Sequence, residues 1–189
     1  MGTLKTTNIQ TITGSGTLTL GTSGETLVYG SGVTSNLLYP AFDVTISTNQ
    51  TLTDGTFTKI QFDNVNIDTD SAFDNTTNYR YTIPSGKGGK YFILARAVVQ
   101  GATTQSNNIN TNLTAIYKNG SNIATGVMNA GSTHYFDYVS SVASILVSLS
   151  AGDYLEMFVN SDAITGAPRV RGDDYYSHVT CMQGYRIGT

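Results

Sequence analysis

Apolar and polar positions alternate with a period of two over much of the chain from Tyr39 onward, which is the spacing of half-buried β-strands. Residues 42–46 and 57–62 show this alternation most clearly. Turn-forming residues recur between such segments at intervals of roughly 8–12 residues, as in sandwiches and barrels. No segment combines a helical period with a cap. We therefore predict an all-β domain over residues 39–189.

Two segments carry the strongest strand signals. Residues 91–99 are almost continuously apolar, as expected of a strand that is covered on both faces or lies at a subunit interface. Residues 113–118 and 121–124 flank Asn119-Gly120, whose tolerance of positive φ predicts a type I′ hairpin. Further strands are predicted at 135–139, 143–149, 154–159 and 179–187.

Residues 1–38 differ from the rest of the chain. They alternate Thr with small or aliphatic residues, and residues 14–20 are echoed by residues 21–29. Such a segment has too few large apolar side chains to bury a core of its own. We predict an extended β arm that orders against another surface or winds with identical chains about one axis.

The amino-acid composition makes several classes of protein less plausible for this chain. Charged residues make up only 12% of the chain, which disfavours a helical bundle. Ten Lys and Arg against thirteen Asp and Glu give a net charge of −3, so nucleic acid is not an expected partner. No apolar stretch reaches the roughly 18 residues that a membrane span needs. The first residues lack the apolar stretch of a secretory signal, and none is expected.

The sequence contains few candidate catalytic or metal-binding residues. Cys181 is the single cysteine, cannot form an internal disulfide, and is expected to be buried. His134 and His178 show no spacing typical of a zinc site or of a nucleophile and its base. A glycosidase-type carboxylate pair remains open, with the candidates Asp153, Glu156, Asp162, Asp173 and Asp174. We predict no enzymatic activity, no bound metal and no cofactor.

Residues 161–178 form the most polar and irregular stretch of the domain and are predicted to be a long loop. Tyr beside Arg and Asp is the combination that stacks on and hydrogen-bonds to sugars or protein epitopes. The alternative is a solvated loop tip without a ligand. The candidate ligand or receptor residues are Arg169, Arg171, Asp173, Asp174, Tyr175 and Tyr176.

Several motifs occur in an order that resembles the globular head of complement subcomponent q, whose jelly roll is shared with tumour necrosis factor. The motifs lie at residues 62–65, 72–74, 81–86, 116–120, 149–156 and 183–187. The resemblance spans roughly residues 55–189. It implies a ten-stranded antiparallel jelly roll that assembles as a tight homotrimer.

A trimer would cover an apolar patch that a single jelly roll leaves exposed to water. The run at 91–99 and the aromatic residues near 135–138 are the predicted source of that patch. The candidate interface residues are Tyr91, Ile93, Ala95, Ala97, Tyr135, Phe136 and Tyr138.

Residues 3–10 resemble the opening of many tailed-bacteriophage virion proteins, and candidate attachment residues are Leu4, Lys5, Asn8 and Ile9. The collagen-like Gly-X-Y stalk that usually precedes the complement head is absent, and the Gly-Ser-Thr-Leu arm takes its place. These features predict a capsid decoration (cement) protein or short fibre on the virion surface, bound to other virion proteins. Two alternatives remain: a fibre tip that binds a host glycan or protein, and a secreted lectin-like module.

Overall fold

The computed structural model describes residues 40–101, 108–131, 134–172 and 177–188. All of them belong to the unit Tyr39–Thr189. Within these ranges the chain forms thirteen β-strands and no helix. The strands are β1 (Ala41–Thr45), β2 (Gln50–Thr51), β3 (Thr58–Lys59), β4 (Asn64–Asp68), β5 (Phe73–Asp74), β6 (Arg80–Thr82), β7 (Gly89–Gln100), β8 (Ile109–Lys118), β9 (Ser121–Asn129), β10 (Tyr138–Leu149), β11 (Tyr154–Ala163), β12 (Arg169–Val170) and β13 (Cys181–Gly188).

The strands form two antiparallel sheets. The front sheet has the order β2-β12-β7-β13-β1-β4, and β10 also pairs with β7. The back sheet has the order β5-β6-β11-β8-β9, and β3 also pairs with β11. The predicted all-β fold class is therefore confirmed. The central strand of the front sheet is β7, which pairs with β10, β12 and β13.

The core lies between the two sheets. The long strands β7 and β10 of the front sheet alternate between side chains that point into this space and side chains that point outward. Phe42 and Tyr81 stack across the core with ring centroids 4.2 Å apart. Ile93, Leu155 and Met182 are completely buried beside them. Each such side chain contributes about 1.5–3 kcal/mol through the apolar surface that it removes from water.

The predicted hairpin joins β8 to β9. Asn119 has a φ of 51° and Gly120 has a φ of 78°, as a type I′ turn requires. The Asn119 side chain also accepts a hydrogen bond from the backbone N–H of Tyr154 at 2.9 Å and donates to Asp153 Oδ1 at 2.7 Å. The hairpin is thereby fastened to the turn between β10 and β11.

Asp153 organises that second turn. Its Oδ2 atom accepts from the backbone N–H of Ser150 at 2.8 Å and lies 2.8 Å from Lys118 Nζ. The Lys118 side chain and the Ser150 N–H lower the pKa of Asp153 to about 2. The carboxylate is therefore ionised and held in place at neutral pH.

Two strand predictions and one loop prediction need correction. Residues 57–62 contain only the two-residue strand β3, although Ile60 beyond it still donates its backbone N–H to the Met157 carbonyl oxygen on β11 at 2.9 Å. The segment 135–139 enters the sheet only at Tyr138, where β10 begins. Residues 161–178 are not one loop, since the segment 161–163 belongs to β11 and Arg169–Val170 forms β12. Cys181 is buried, as expected.

The described part of the chain contains no helix of the length and apolarity that a membrane span requires.

Candidate functional site

The outward surface of the front sheet is formed by alternate residues of β7 and its neighbours. Tyr91, Ile93, Ala95 and Ala97 point the other way and are completely buried in the sandwich interior. The prediction that these four residues supply an intersubunit surface is therefore wrong. Along residues 91–99 the odd-numbered and the even-numbered positions are both largely apolar. The odd-numbered side chains are the ones that pack against the back sheet.

An apolar band crosses this outward surface, and we define it as Leu146, Phe92, Tyr185, Leu94 and Ile67. Leu146 and Tyr185 lie opposite Phe92 on either side, and the rings of Phe92 and Tyr185 have centroids 5.8 Å apart. Leu146 is 67% exposed, and Tyr185 and Ile67 are each 51% exposed. A cavity of about 240 Å³ opens between the side chains of Phe92, Leu94, Tyr185 and Ile67. The band is thus an apolar surface with a depression in it.

A polar cluster borders the band on β1 and β13. Asp43 Oδ1 accepts from Gln183 Nε2 at 3.0 Å, and Asp43 Oδ2 lies 3.0 Å from His178 Nε2. Asn66 Nδ2 is 3.2 Å from the same His178 nitrogen. Among the described residues, no hydroxyl or thiol hydrogen-bonds to His178. The groups of the cluster orient the imidazole at the edge of the sheet.

An arginine cluster lies at the far end of β7 on the same outward surface. Arg169 Nη2 and Arg171 Nη1 both donate to Gln100 Oε1, each at 3.0 Å. Gln100 Nε2 donates to Tyr138 Oη at 2.7 Å. Gln100 is only 7% exposed and thus holds the two guanidinium groups and the phenol in fixed positions. Two residues predicted for ligand binding and one predicted for an interface meet here.

The other predicted site residues fall in three places. Phe136 is 46% exposed and forms an isolated bridge with Ile109, and Tyr135 beside it is partly buried. Two groups lie outside the described residues. These are Asp173, Asp174, Tyr175 and Tyr176 of the polar segment, and Leu4, Lys5, Asn8 and Ile9 of the arm.

Two features of the sequence indicate outward-facing groups of β7 that were not predicted as site residues. Arg96 is a charged residue at an even position of β7, which marks the even positions as the outward ones. Gln100 ends the same apolar strand with a polar side chain. Over the described residues, no group of three or more acidic, His or Cys side chains is arranged to hold a metal ion.

No protein-family model and no curated protein matches this sequence. Solved structures share the fold at low identity. The globular domain of zebrafish complement 1qA protein has a TM-score of 0.53 at 12% identity, over 78% of this chain and 97% of its own. Murine APRIL at pH 5.0 has a TM-score of 0.55 at 10% identity, over 79% and 99%. Eiger TNF from S. frugiperda has a TM-score of 0.53 at 11% identity, over 79% and 92%.

The chain has the complement C1q and tumour necrosis factor jelly-roll fold. At 10–12% identity this similarity concerns the fold alone and carries no residue's role with it. The order of motifs along the sequence predicted this architecture correctly.

Proposed function

We propose that this protein is a non-enzymatic, homotrimeric jelly-roll knob on the surface of a tailed-bacteriophage virion, anchored by residues 1–38. It acts there as a capsid decoration protein or as a short fibre. The apolar band carries the proposal of self-association. A contiguous apolar surface of this kind on a sheet face is unfavourable in water and is typical of a protein interface.

A further copy of the chain is the occupant that fits the band. The band lies on a broad, regular sheet surface, which can pack against another regular surface without unpaired backbone groups. Closed symmetry lets one patch serve every subunit of an oligomer. The resemblance to the complement head implies that this oligomer is a trimer.

The virion location rests on the sequence. Residues 3–10 resemble the start of phage virion proteins, and a Thr- and Gly-rich arm stands where a collagen stalk would precede the complement head. The arginine cluster supports the second candidate function, a fibre tip that contacts the host.

Light scattering tests self-association. We expect three times the monomer mass of 20.2 kDa at micromolar concentration. Leu146→Glu and Ile67→Glu place a charge in the apolar band and should shift the mass toward the monomer. Ile164→Glu is the matched control, because Ile164 is 53% exposed and lies outside the band. A monomeric wild type, or a band variant that keeps its mass, would contradict the proposed interface.

Electron microscopy of phage particles tests the location. Gold-labelled antibody against the knob should mark the capsid lattice for a decoration protein and the tail for a fibre. Deletion of residues 1–38 should remove the label while leaving a folded knob, since the described core cluster lies entirely within residues 42–182. Label on neither structure would refute the virion role, and full labelling by the truncated protein would refute the role of the arm.

A further inference from the structure

We propose that a polar cavity beside β2 binds a neutral sugar ring, with Tyr79 stacking on the ring and Asp63 accepting hydrogen bonds from its hydroxyl groups. This site goes beyond the proposed trimeric knob and does not depend on it, because one chain supplies all of its residues.

Three segments of the chain form the polar cavity. They are the segment that leads from β1 into β2, the connection between β3 and β4, and the end of the connection between β5 and β6. The cavity has a volume of about 390 Å³. Small-molecule sites commonly measure roughly 300–1,000 Å³, so a single sugar ring is a ligand of suitable size. The polar lining residues are Thr48, Gln50, Thr51, Gln61, Asp63 and Tyr79.

Tyr79 reaches the cavity from a strained backbone position. Its φ is 50°, in the left-handed region that bulky residues rarely adopt. Such a conformation persists only where the surrounding structure holds it, and it is most frequent at functional sites. Here the Asp74 carboxylate accepts from the backbone N–H groups of Thr76, Thr77 and Asn78 at 2.9–3.1 Å. Asp74 therefore fixes the loop that presents the partly buried Tyr79 to the cavity.

Asp63 is held in place and still has capacity to accept further hydrogen bonds. Its Oδ1 atom accepts from the backbone N–H of Ser47 at 2.7 Å, and its Oδ2 atom accepts from the Ser47 hydroxyl group at 2.5 Å. A carboxylate has about four acceptor positions, so these two bonds leave positions open to a ligand. The backbone carbonyl of Asp63 also accepts from Asn75 Nδ2 at 3.1 Å, which ties the loop of Tyr79 to Asp63.

The walls of the cavity are joined before any ligand binds. Gln50 Oε1 accepts from the backbone N–H of Gln61 at 2.9 Å, and Gln50 Nε2 donates to the carbonyl oxygen of Lys59 at 2.7 Å. Gly172 packs on the backbone of Thr48 so closely that an added Cβ atom would lie 2.5 Å from the Thr48 carbonyl carbon. A site whose groups are already fixed loses little conformational entropy on binding.

The lining chemistry favours an uncharged ligand rich in hydroxyl groups. Thr48, Thr51 and Gln61 can each donate and accept hydrogen bonds, as sugar hydroxyl groups also do. Among the described lining residues, Asp63 carries a negative charge and no side chain is cationic, so an anionic ligand would be repelled. An ammonium ligand needs acceptors alone. The Tyr79 ring adds the flat apolar surface on which a sugar ring can stack.

NMR titration of the full-length protein tests the ligand class. The probes are the methyl glycosides of D-glucose, D-galactose, D-mannose and D-glucuronic acid, together with glycerol and tetramethylammonium. We expect at least one neutral glycoside to bind at least tenfold more tightly than the glucuronide, glycerol and tetramethylammonium. Its binding should shift the backbone amide signals of residues 48–51, 61–63 and 79. A smaller preference, no binding of a neutral glycoside, or shifts confined to other residues would each overturn the proposal.

Substitutions then locate the site. Asp63→Asn keeps an oxygen acceptor for Ser47 but removes the carboxylate, and it should weaken binding of the best neutral glycoside at least tenfold. Tyr79→Asn removes the ring and should weaken binding by a similar factor. It should also fold, because asparagine adopts the left-handed conformation more readily than tyrosine. Asp54→Asn is the matched control, since Asp54 is an exposed aspartate that accepts from the backbone N–H of Ala163 at 2.8 Å and does not line the cavity.

Wild-type affinity in either folded cavity variant would refute the assignment, and so would an equal loss of affinity in Asp54→Asn. Light scattering on the same samples separates this proposal from the proposed trimer. A monomeric wild type that binds the glycoside refutes the trimer alone, whereas a trimer that binds no neutral glycoside refutes the sugar site alone.

Discussion

Gly126 on β9 lies directly against the backbone of Val142 on β10: a Cβ atom at Gly126 would stand 1.8 Å from the Val142 carbonyl oxygen. The two strands belong to different sheets, so this contact is where the front and back sheets meet at one edge of the sandwich. Thr114, which lies opposite Gly126 on β8, reaches Ser141 beside Val142 and hydrogen-bonds to its hydroxyl at 2.5 Å. The missing side chain at Gly126 thus allows β10 to approach the back sheet closely.

Gly126→Ala should destabilise the domain by about 2 kcal/mol or more, because backbone atoms rather than a flexible side chain must move to admit the methyl group. Urea unfolding gives this free energy directly. Gly188→Ala is the control: nothing lies within 4 Å of its added Cβ, and we expect a change below about 0.5 kcal/mol. A tolerated alanine at Gly126 would mean that β9 and β10 are farther apart than described.

Thr114 and Ser141 should behave as a coupled pair. Both are buried, and Thr114 Oγ1 also donates to the Ser141 carbonyl oxygen at 3.2 Å. Thr114→Val leaves the Ser141 hydroxyl buried without a partner and should cost about 1–3 kcal/mol. Adding Ser141→Ala removes that unpaired hydroxyl, so the double variant should be more stable than the sum of the single changes predicts. Additive effects in the double-mutant cycle would argue against the contact.

The sequence predicts those features of the fold that depend only on the local backbone conformation. Asn119-Gly120 defines the β8–β9 hairpin because the backbone of these two residues favours positive φ, and this preference does not depend on the rest of the fold. Local signals do not predict which face of β7 is buried, because Tyr91 and Phe92 are both aromatic and either side chain can face a core. Packing against the back sheet determines the buried face, and Tyr91 is the residue on that face.

The arginine cluster is a second feature that local sequence signals do not predict in full. Arg169 and Arg171 are two residues apart, so the sequence alone places both on one side of a strand. Their shared acceptor, Gln100, is 69 residues from Arg169 and 71 from Arg171. The pairing of β12 with β7 creates that contact, and strand pairing over such a distance depends on the whole fold.

Asp153 should make stability depend on pH in the acidic range. Its pKa is about 2 in the folded protein against 3.8 ordinarily, so the folded state binds the proton less readily than the unfolded chain does. The stabilisation is therefore fully present above about pH 5 and is lost as the pH falls through 4 toward 2. We expect about 1 kcal/mol near pH 7, because the side chain is partly accessible to solvent.

Unfolding of the wild type and Asp153→Asn across this range measures the effect. The wild type should be the more stable protein near pH 7, and the difference should shrink on acidification. Asp74 also has a pKa far below its ordinary value, owing to the backbone N–H groups of Thr77 and Thr76. Its contribution is common to both proteins and cancels in the comparison. A difference that stays constant with pH would mean that Lys118 and Ser150 do not stabilise the ionised form of Asp153.

Among the described residues, Tyr81 and Tyr91 are fully buried tyrosines, and they should respond in opposite directions to loss of their hydroxyl groups. Tyr81 Oη is buried without a hydrogen-bond partner, and burial raises the pKa of this hydroxyl. Tyr91 Oη donates to the Lys87 carbonyl oxygen at 2.6 Å. Tyr81→Phe removes an unsatisfied polar group and should stabilise the domain by about 1 kcal/mol, whereas Tyr91→Phe should destabilise it by a similar amount. Thermal and urea unfolding of the two variants, which lose the same atom from equally buried rings, give the comparison. If Tyr81→Phe were the more damaging change, the Tyr81 hydroxyl would have a partner in solution and the packing around Phe42 would need revision.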